Sequence, residues 1–298
     1  MELSIPPITD PGRRRGVLMM LLAVGLLSLM DGGLKLLTAH YPPAQVAFLR
    51  GAASLPFVLV WIARSQGFAP LLKVRWPLHL LRGVIGVGMI TAFAYALRSL
   101  PLSTAYTLFF VAPLIITALS GPMLGERVGV HRWIAIVAGF GGTLVVLRPS
   151  GDGLFSWPAL AVLVAASGYA LSAITVRLLG RTDSSQSMVF WLLVSMSIGA
   201  GALAAPGWVP IAREHAPLIV GVGLCGALGQ WAITEAFARA QASVIAPLEY
   251  SALAWGLLLD LLLWQALPDR WTLLGGTIIV ASGLYLIRRE KAPDVVVP

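Results

Sequence analysis

Charge is what this chain has least of. Only 11% of its 298 residues are Asp, Glu, Lys or Arg, against 58% hydrophobic ones, and the mean hydropathy is +0.85. Soluble domains carry about a quarter charged residues, so a water-facing globule is excluded and an integral membrane protein is indicated. Cysteine is nearly absent: Cys225 stands alone, which excludes an internal disulfide and any cysteine-built metal or redox centre. Histidine is scarce too, at four residues, with no His-Glu-x-x-His pair. Neither a Gly-x-Ser-x-Gly elbow nor a Walker loop is present. The chain therefore reads as a non-enzyme that needs no metal or cofactor. Also missing are the short alternating segments of about ten residues that build outer-membrane barrels.

What fills the chain is a series of apolar runs of about 20 residues, the length of a membrane-crossing helix. They fall at 17–38, 44–64, 76–97, 101–123, 131–148, 155–178, 185–205, 216–238, 241–264 and 270–288. Ten spans with short connections leave no room for a separate soluble domain. The first run follows Arg13, Arg14 and Arg15, as a signal peptide would, but no small-x-small cleavage site follows and a counterpart recurs later. It reads as the first span of the mature protein.

The formal charge of +8 need not mean nucleic acid, because the basic residues flank the apolar runs. With the N-terminus inside, fifteen of the 21 Lys and Arg, Arg64, Arg75 and Arg82 among them, fall on the cytoplasmic side. That bias predicts cytoplasmic N- and C-termini.

Internal similarity at a spacing of about 140 residues is the most informative pattern. Lys35-Leu36-Leu37 recurs as Arg177-Leu178-Leu179, Gln45-Val46-Ala47-Phe48 as Ser187-Met188-Val189-Phe190, and Arg132-Trp133 as Arg270-Trp271. The common order predicts two five-span repeats, residues 1–150 and 151–298. Five crossings are an odd number, so the second copy enters the membrane from the opposite side. An all-α membrane fold of ten helices in two inverted repeats suits alternating access around a midplane site. A carrier is the leading reading; a channel or scaffold is the rival from another class.

The residues that mark this arrangement are Phe48 to Ala53 (FLRGAA), Tyr95 to Ala105 (YALRSLPLSTA), Ala112 to Leu114 (APL), Leu124 to Arg127 (LGER) and Ala246 to Tyr250 (APLEY). With the repeat, the whole chain resembles the EamA-type branch of the drug/metabolite transporter superfamily, and is similar to its amino-acid exporters. The resemblance implies a bacterial inner-membrane exporter of small metabolites, most simply neutral or aromatic amino acids, with a drug or cation carrier as the alternative. It implies a small-molecule substrate, the bilayer as surroundings, no nucleic acid, and a monomer or weak homo-oligomer. The family often has a glutamate after span nine in the position equivalent to Glu126, where this chain has Ala266. Glu126 is accordingly expected to make a loop or terminus contact in one half only.

Ionisable groups inside spans are costly and become functional candidates by default. Asp31 and Lys35 share one helix face at i and i+4, acid before base. Arg50 enters from the same end of span two. In the second repeat Asp31 aligns with Ala173 and Arg50 with Leu192. Loss of both together is what an Asp31–Arg50 ion pair predicts, so Asp31, Lys35 and Arg50 form a structural or gating cluster. A substrate-carboxylate contact and proton coupling are the alternatives. Candidates for a substrate cavity are His79, Tyr95, Tyr106, Phe109, Gln230, Glu249, Tyr250 and Trp255. For the rings, packing is the plain alternative; for His79, a helix interface; for Gln230 and Glu249, a bond to each other. Pro247 lacks an N–H and should loosen span nine. The glycine stripes Gly83 to Gly88 and Gly221 to Gly229 suggest that spans three and eight pack on one another.

Overall fold

In lipid a backbone N–H has nothing to bond but its own helix, so runs this apolar must wind up. A computed structural model of the chain describes residues 11–65, 67–124, 129–147, 156–180, 182–239 and 246–290. Among these there are helices and turns but no strands. The helices are α1 (Pro11–Thr38), α2 (Pro43–Ser65), α3 (Trp76–Leu97), α4 (Leu102–Phe109), α5 (Ala112–Leu124), α6 (Val130–Leu147), α7 (Trp157–Leu179), α8 (Ser185–Ala204), α9 (Ala216–Arg239), α10 (Ala252–Trp264) and α11 (Arg270–Glu290). Eight stretches of 18 to 25 residues are long and apolar enough to cross a membrane. The protein is thus a multi-pass membrane protein.

Local chemistry explains where the helices begin and break. Ser156 and Ser184 cap α7 and α8, accepting from Ala159 N and Ser187 N, and Asp269 accepts from Trp271 N and Thr272 N at the head of α11. Each satisfies donors that a helix start leaves open. The fourth apolar run is interrupted: α4 ends at Phe109 and α5 restarts at Ala112. Pro113 has no N–H to give the Phe109 carbonyl, which favours a break at this point. The same Ala-Pro-Leu sequence returns at Ala246, where the backbone winds as a 3₁₀ segment (Ala246–Ser251) before α10 starts.

The helices pack in pairs. α1 runs along α9, α3 along α7, α2 along α8 and α6 along α11; α2 also meets α9, α3 meets α8, and α4 packs between α7 and α10. α6 and α11 approach closely: a Cβ at Gly142 would stand 2.9 Å from the Gly275 carbonyl oxygen. The glycine stripes of spans three and eight also sit at close contacts, but not with one another. Gly83 and Gly86 of α3 face Ser195 and Leu192 of α8, while Gly226 and Gly229 of α9 face Met30 and Leu27 of α1. Small residues specify that a partner comes near; they carry no information on which one.

Candidate functional site

The end of the bundle where α1 turns into α2 is called distal here, and the end where α1 begins, terminal. At the distal end the organising residue is Asp260 of α10, wholly buried. Its carboxylate accepts from Leu102 N and Ser103 N, both at 2.8 Å, and from the Ser103 hydroxyl at 2.7 Å. These amides are the first two of α4, which Pro101 cannot cap. Asp260 therefore serves as an N-cap from another helix, its charge against the positive end of the α4 dipole. Lys35 completes the cluster, with Nζ 3.2 Å from Asp260 Oδ1 and 4.1 Å from the centre of the Trp264 ring. Beyond lies a vestibule of about 430 Å³ lined by Lys35, Thr38, Arg98, Ser99 and Trp264.

Two further ties close this end. The Tyr41 hydroxyl accepts from Ala212 N at 3.0 Å and donates to His215 Nδ1 at 2.7 Å. Gln45 bonds both backbone groups of Val209, at 2.6 and 2.9 Å.

The terminal end has a latch of related form. His79, buried at the start of α3, donates Nε2–H to Asp183 Oδ2 at 2.8 Å, and Arg75 N donates to the same oxygen at 3.1 Å. Burial raises the Asp183 pKa, but hydrogen bonds from Thr182, His79 and Arg75 outweigh it and hold the carboxyl below its ordinary range. Trp191 Nε1–H reaches Leu71 O at 2.9 Å nearby.

Between the two ends lies polar and aromatic surface. Asp31 accepts from the Tyr106 hydroxyl at 2.9 Å. Tyr169 of α7 keeps 39% of its surface accessible. Its ring meets Phe109 at 5.4 Å, and Phe109 meets Phe93 at 5.7 Å. Glu249, in the 3₁₀ segment, stands within electrostatic reach of Tyr169 and Tyr250. A small cavity of about 60 Å³, room for a few waters, adjoins this region and is lined by Leu27, Arg50, Ser54, Arg82, Leu193 and Gln230 among others.

The sequence candidates distribute as follows. Tyr106 and Phe109 are central, with Glu249. Tyr250 packs on Phe110 at 4.9 Å and against Gly283, and its buried hydroxyl has no hydrogen-bond partner among the described residues. Trp255 fills the space beside Gly25 in an apolar cluster with Met20 and Val24. Tyr95 is 41% exposed on α3. His79 belongs to the terminal latch. Gln230 lines the cavity with Arg50 and makes no side-chain bond to Glu249 among the described residues.

The expected Asp31–Arg50 contact does not form. Among the described residues no ion pair joins them; Arg50 Nε donates to the Met30 sulfur at 3.4 Å and feels Asp31 only at longer range. Lys35 turns to Asp260 rather than Asp31, because a fully buried carboxylate needs a countercharge more than one bonded to Tyr106. Arg82 is no cytoplasmic surface charge: it is buried, donating to Ser172 Oγ at 3.2 Å and Met188 O at 2.7 Å. Asp260, Arg82, Tyr169 and Asp183 were all missed. The signal for Asp260 was a lone acid in the run Leu257 to Trp264 (LLLDLLLW). Glu126 lies outside the described residues.

A helical membrane bundle tied at both ends around an internal polar space is the build of a carrier. The family comparison agrees. Residues 14–148 match the EamA-like transporter family. The chain is 32% identical to the riboflavin transporter of Vibrio cholerae, over 84% of each chain. It is 28% identical to the pseudopaline exporter of Pseudomonas aeruginosa, over 93% of this chain and 98% of that one. It is 29% identical to the S-adenosylmethionine uptake transporter of Rickettsia conorii, over 83% of each. A crystal structure aligns over 94% of this chain and 99% of its own with a TM-score of 0.62 at 18% identity, and so shares the fold. The chain belongs to the EamA-like transporter family.

Proposed function

We propose that this protein carries small metabolites across a bacterial inner membrane by alternating access, and that it exports neutral or aromatic amino acids. The observation that bears most weight is the distal clamp on Asp260, with the aromatic rings of Phe93, Phe109 and Tyr169 between the ends and both Glu249 and Arg82 within electrostatic reach of Tyr169. Opposite charges around aromatic faces suit a small zwitterion with an apolar side chain. In this reading both termini are cytoplasmic, so the distal end is the outer one. A drug or cation carrier is the second reading, favoured by the two acids Asp31 and Glu249.

Two features support ten spans in two inverted repeats, 1–150 and 151–298. The 3₁₀ segment and α10 together reach about 30 Å, one hydrocarbon core, and α11 supplies a tenth crossing. The packing also survives exchange of the halves. Swapping span numbers by five turns α1–α9 into α7–α3 and α2–α9 into α8–α3, and leaves α2–α8 and α6–α11 unchanged. The latches obey the same exchange: Tyr41 with His215 at one end, Asp183 with His79 at the other. Helices interrupted at Pro113 and Pro247 then face each other at the centre, where such carriers bind substrate.

The test is counterflow in proteoliposomes holding purified protein and L-phenylalanine. Saturable, trans-stimulated exchange is expected. Flux that rises linearly with concentration would mean a channel, and exchange of organic cations alone would favour the second reading.

A further inference from the structure

We infer that Arg50 and Arg82 form an anion subsite that takes the carboxylate of the transported molecule. This rests on the carrier reading above and names the chemical group that the site selects.

Two arginines line one cavity of about 60 Å³ inside a membrane bundle. Arginine is always charged, and each such group held away from water is costly unless something neutralises it. Among the described residues neither arginine has a carboxylate within ion-pair distance, and no Asp or Glu lines the cavity. Asp31 attracts Arg50 from a distance but spends a lone pair on Tyr106.

The donors left over are also right for an anion. Arg82 is held by Nε on Ser172 and Nη1 on Met188, which fixes the fork and leaves Nη2 without an acceptor among the described residues. Arg50 is anchored through Nε to the Met30 sulfur, and among the described residues neither of its Nη groups has an acceptor. Ser54 and Gln230 are the other polar residues in a lining that is otherwise apolar. A positioned arginine fork with neutral donors beside it is a carboxylate receptor. The volume suits one such group and not a whole metabolite. The rest of the molecule would extend toward Tyr169 and Phe109, since Tyr169 is also the group that Arg82 senses electrostatically. Residues from α1, α2, α3, α8 and α9 meet at this cavity. A carboxylate bound there would bridge elements of both proposed repeats.

The test uses purified full-length protein in nanodiscs and four probes: 3-phenylpropanoate, L-phenylalanine, L-phenylalaninamide and inorganic phosphate. Binding is read by calorimetry. Both carboxylates are expected to bind roughly 10- to 100-fold more tightly than the amide, the value of a hydrogen bond to a charged group. Arg50→Gln and Arg82→Gln should each abolish that preference while leaving amide binding in place, and Arg82→Lys should restore part of it. Gln230→Leu, which keeps both charges, should weaken the carboxylates alone and serves if the glutamine variants do not fold. Equal binding of acid and amide, or a preference that survives the arginine changes, overturns the proposal. Phosphate binding as tightly as 3-phenylpropanoate without competing with it overturns the substrate-carboxylate assignment. Arginine-dependent carboxylate binding without counterflow of any probe upholds the subsite and sinks the export reading.

Discussion

Removing the Asp260 carboxylate should release the distal end. Asp260→Ala strands the Leu102 and Ser103 amides, the Ser103 hydroxyl and the Lys35 ammonium, all of which now share one buried group. Breaking one side of a buried, hydrogen-bonded charge pair costs about 3–5 kcal/mol. If the clamp exists only with the distal end closed, that cost falls on the closed state alone. At about 1.4 kcal/mol per tenfold, the equilibrium then moves by roughly 100- to 4,000-fold toward distal-open. Asp260→Asn keeps one acceptor oxygen but turns an amide NH₂ toward donors, so it should fall between. Ser28 lies below the clamp, two turns before Lys35, and is 2% exposed. With Cys225 replaced by serine, a cysteine at position 28 should resist a membrane-impermeant maleimide in the parent and react in Asp260→Ala, while counterflow drops. Unchanged labelling together with unchanged flux would refute the gate and leave Asp260 as a helix cap only.

Three further outcomes follow from particular contacts. A double-mutant cycle between Asp31→Asn and Tyr106→Phe should give a coupling of about 0.5–1.5 kcal/mol in unfolding free energy, and one between Asp31→Asn and Arg50→Gln a smaller value, since only the first pair touches. Gly275→Ala should destabilise by about 1–3 kcal/mol, because its Cβ would meet the Gly142 carbonyl oxygen at 2.5 Å, whereas Gly88→Ala, with open space, should be neutral or stabilising by detergent unfolding. The Asp183 carboxyl, held below its ordinary range, contributes stability that is complete above the unfolded carboxylate value of about 3.9. That contribution fades as pH falls through the lowered folded value. The melting temperature should therefore drop on the acid side of pH 4 in the parent, and less steeply in Asp183→Asn.

Much of the candidate site was hard to read from sequence because its partners are far apart in the chain. Asp31 and Lys35 look like a pair by helix geometry, and a four-residue spacing does put them on one face. Their true partners are Tyr106 and Asp260, 75 and 225 residues away. Arg82 lies six residues into α3, where charge counting treats any arginine as a loop marker. Only the packing of α7 and α8 against it shows that it is buried. The break in the fourth span was legible in principle, since Pro113 lacks the N–H that α-helix continuity needs. Pro247 was read that way, and its segment is wound as 3₁₀.

By itself the sequence determined the medium, the secondary structure and the family: apolar runs of about 20 residues permit only helices in lipid, and that constraint is local. Which helix pairs with which, and where each buried charge finds its partner, was decided only in three dimensions. A glycine stripe is equally smooth toward any neighbour, and a buried charge is attracted by proximity and not by position in the chain. Asp260, one acid among seven apolar neighbours in Leu257 to Trp264, becomes the keystone of the distal clamp only when α4 and α1 are laid against α10.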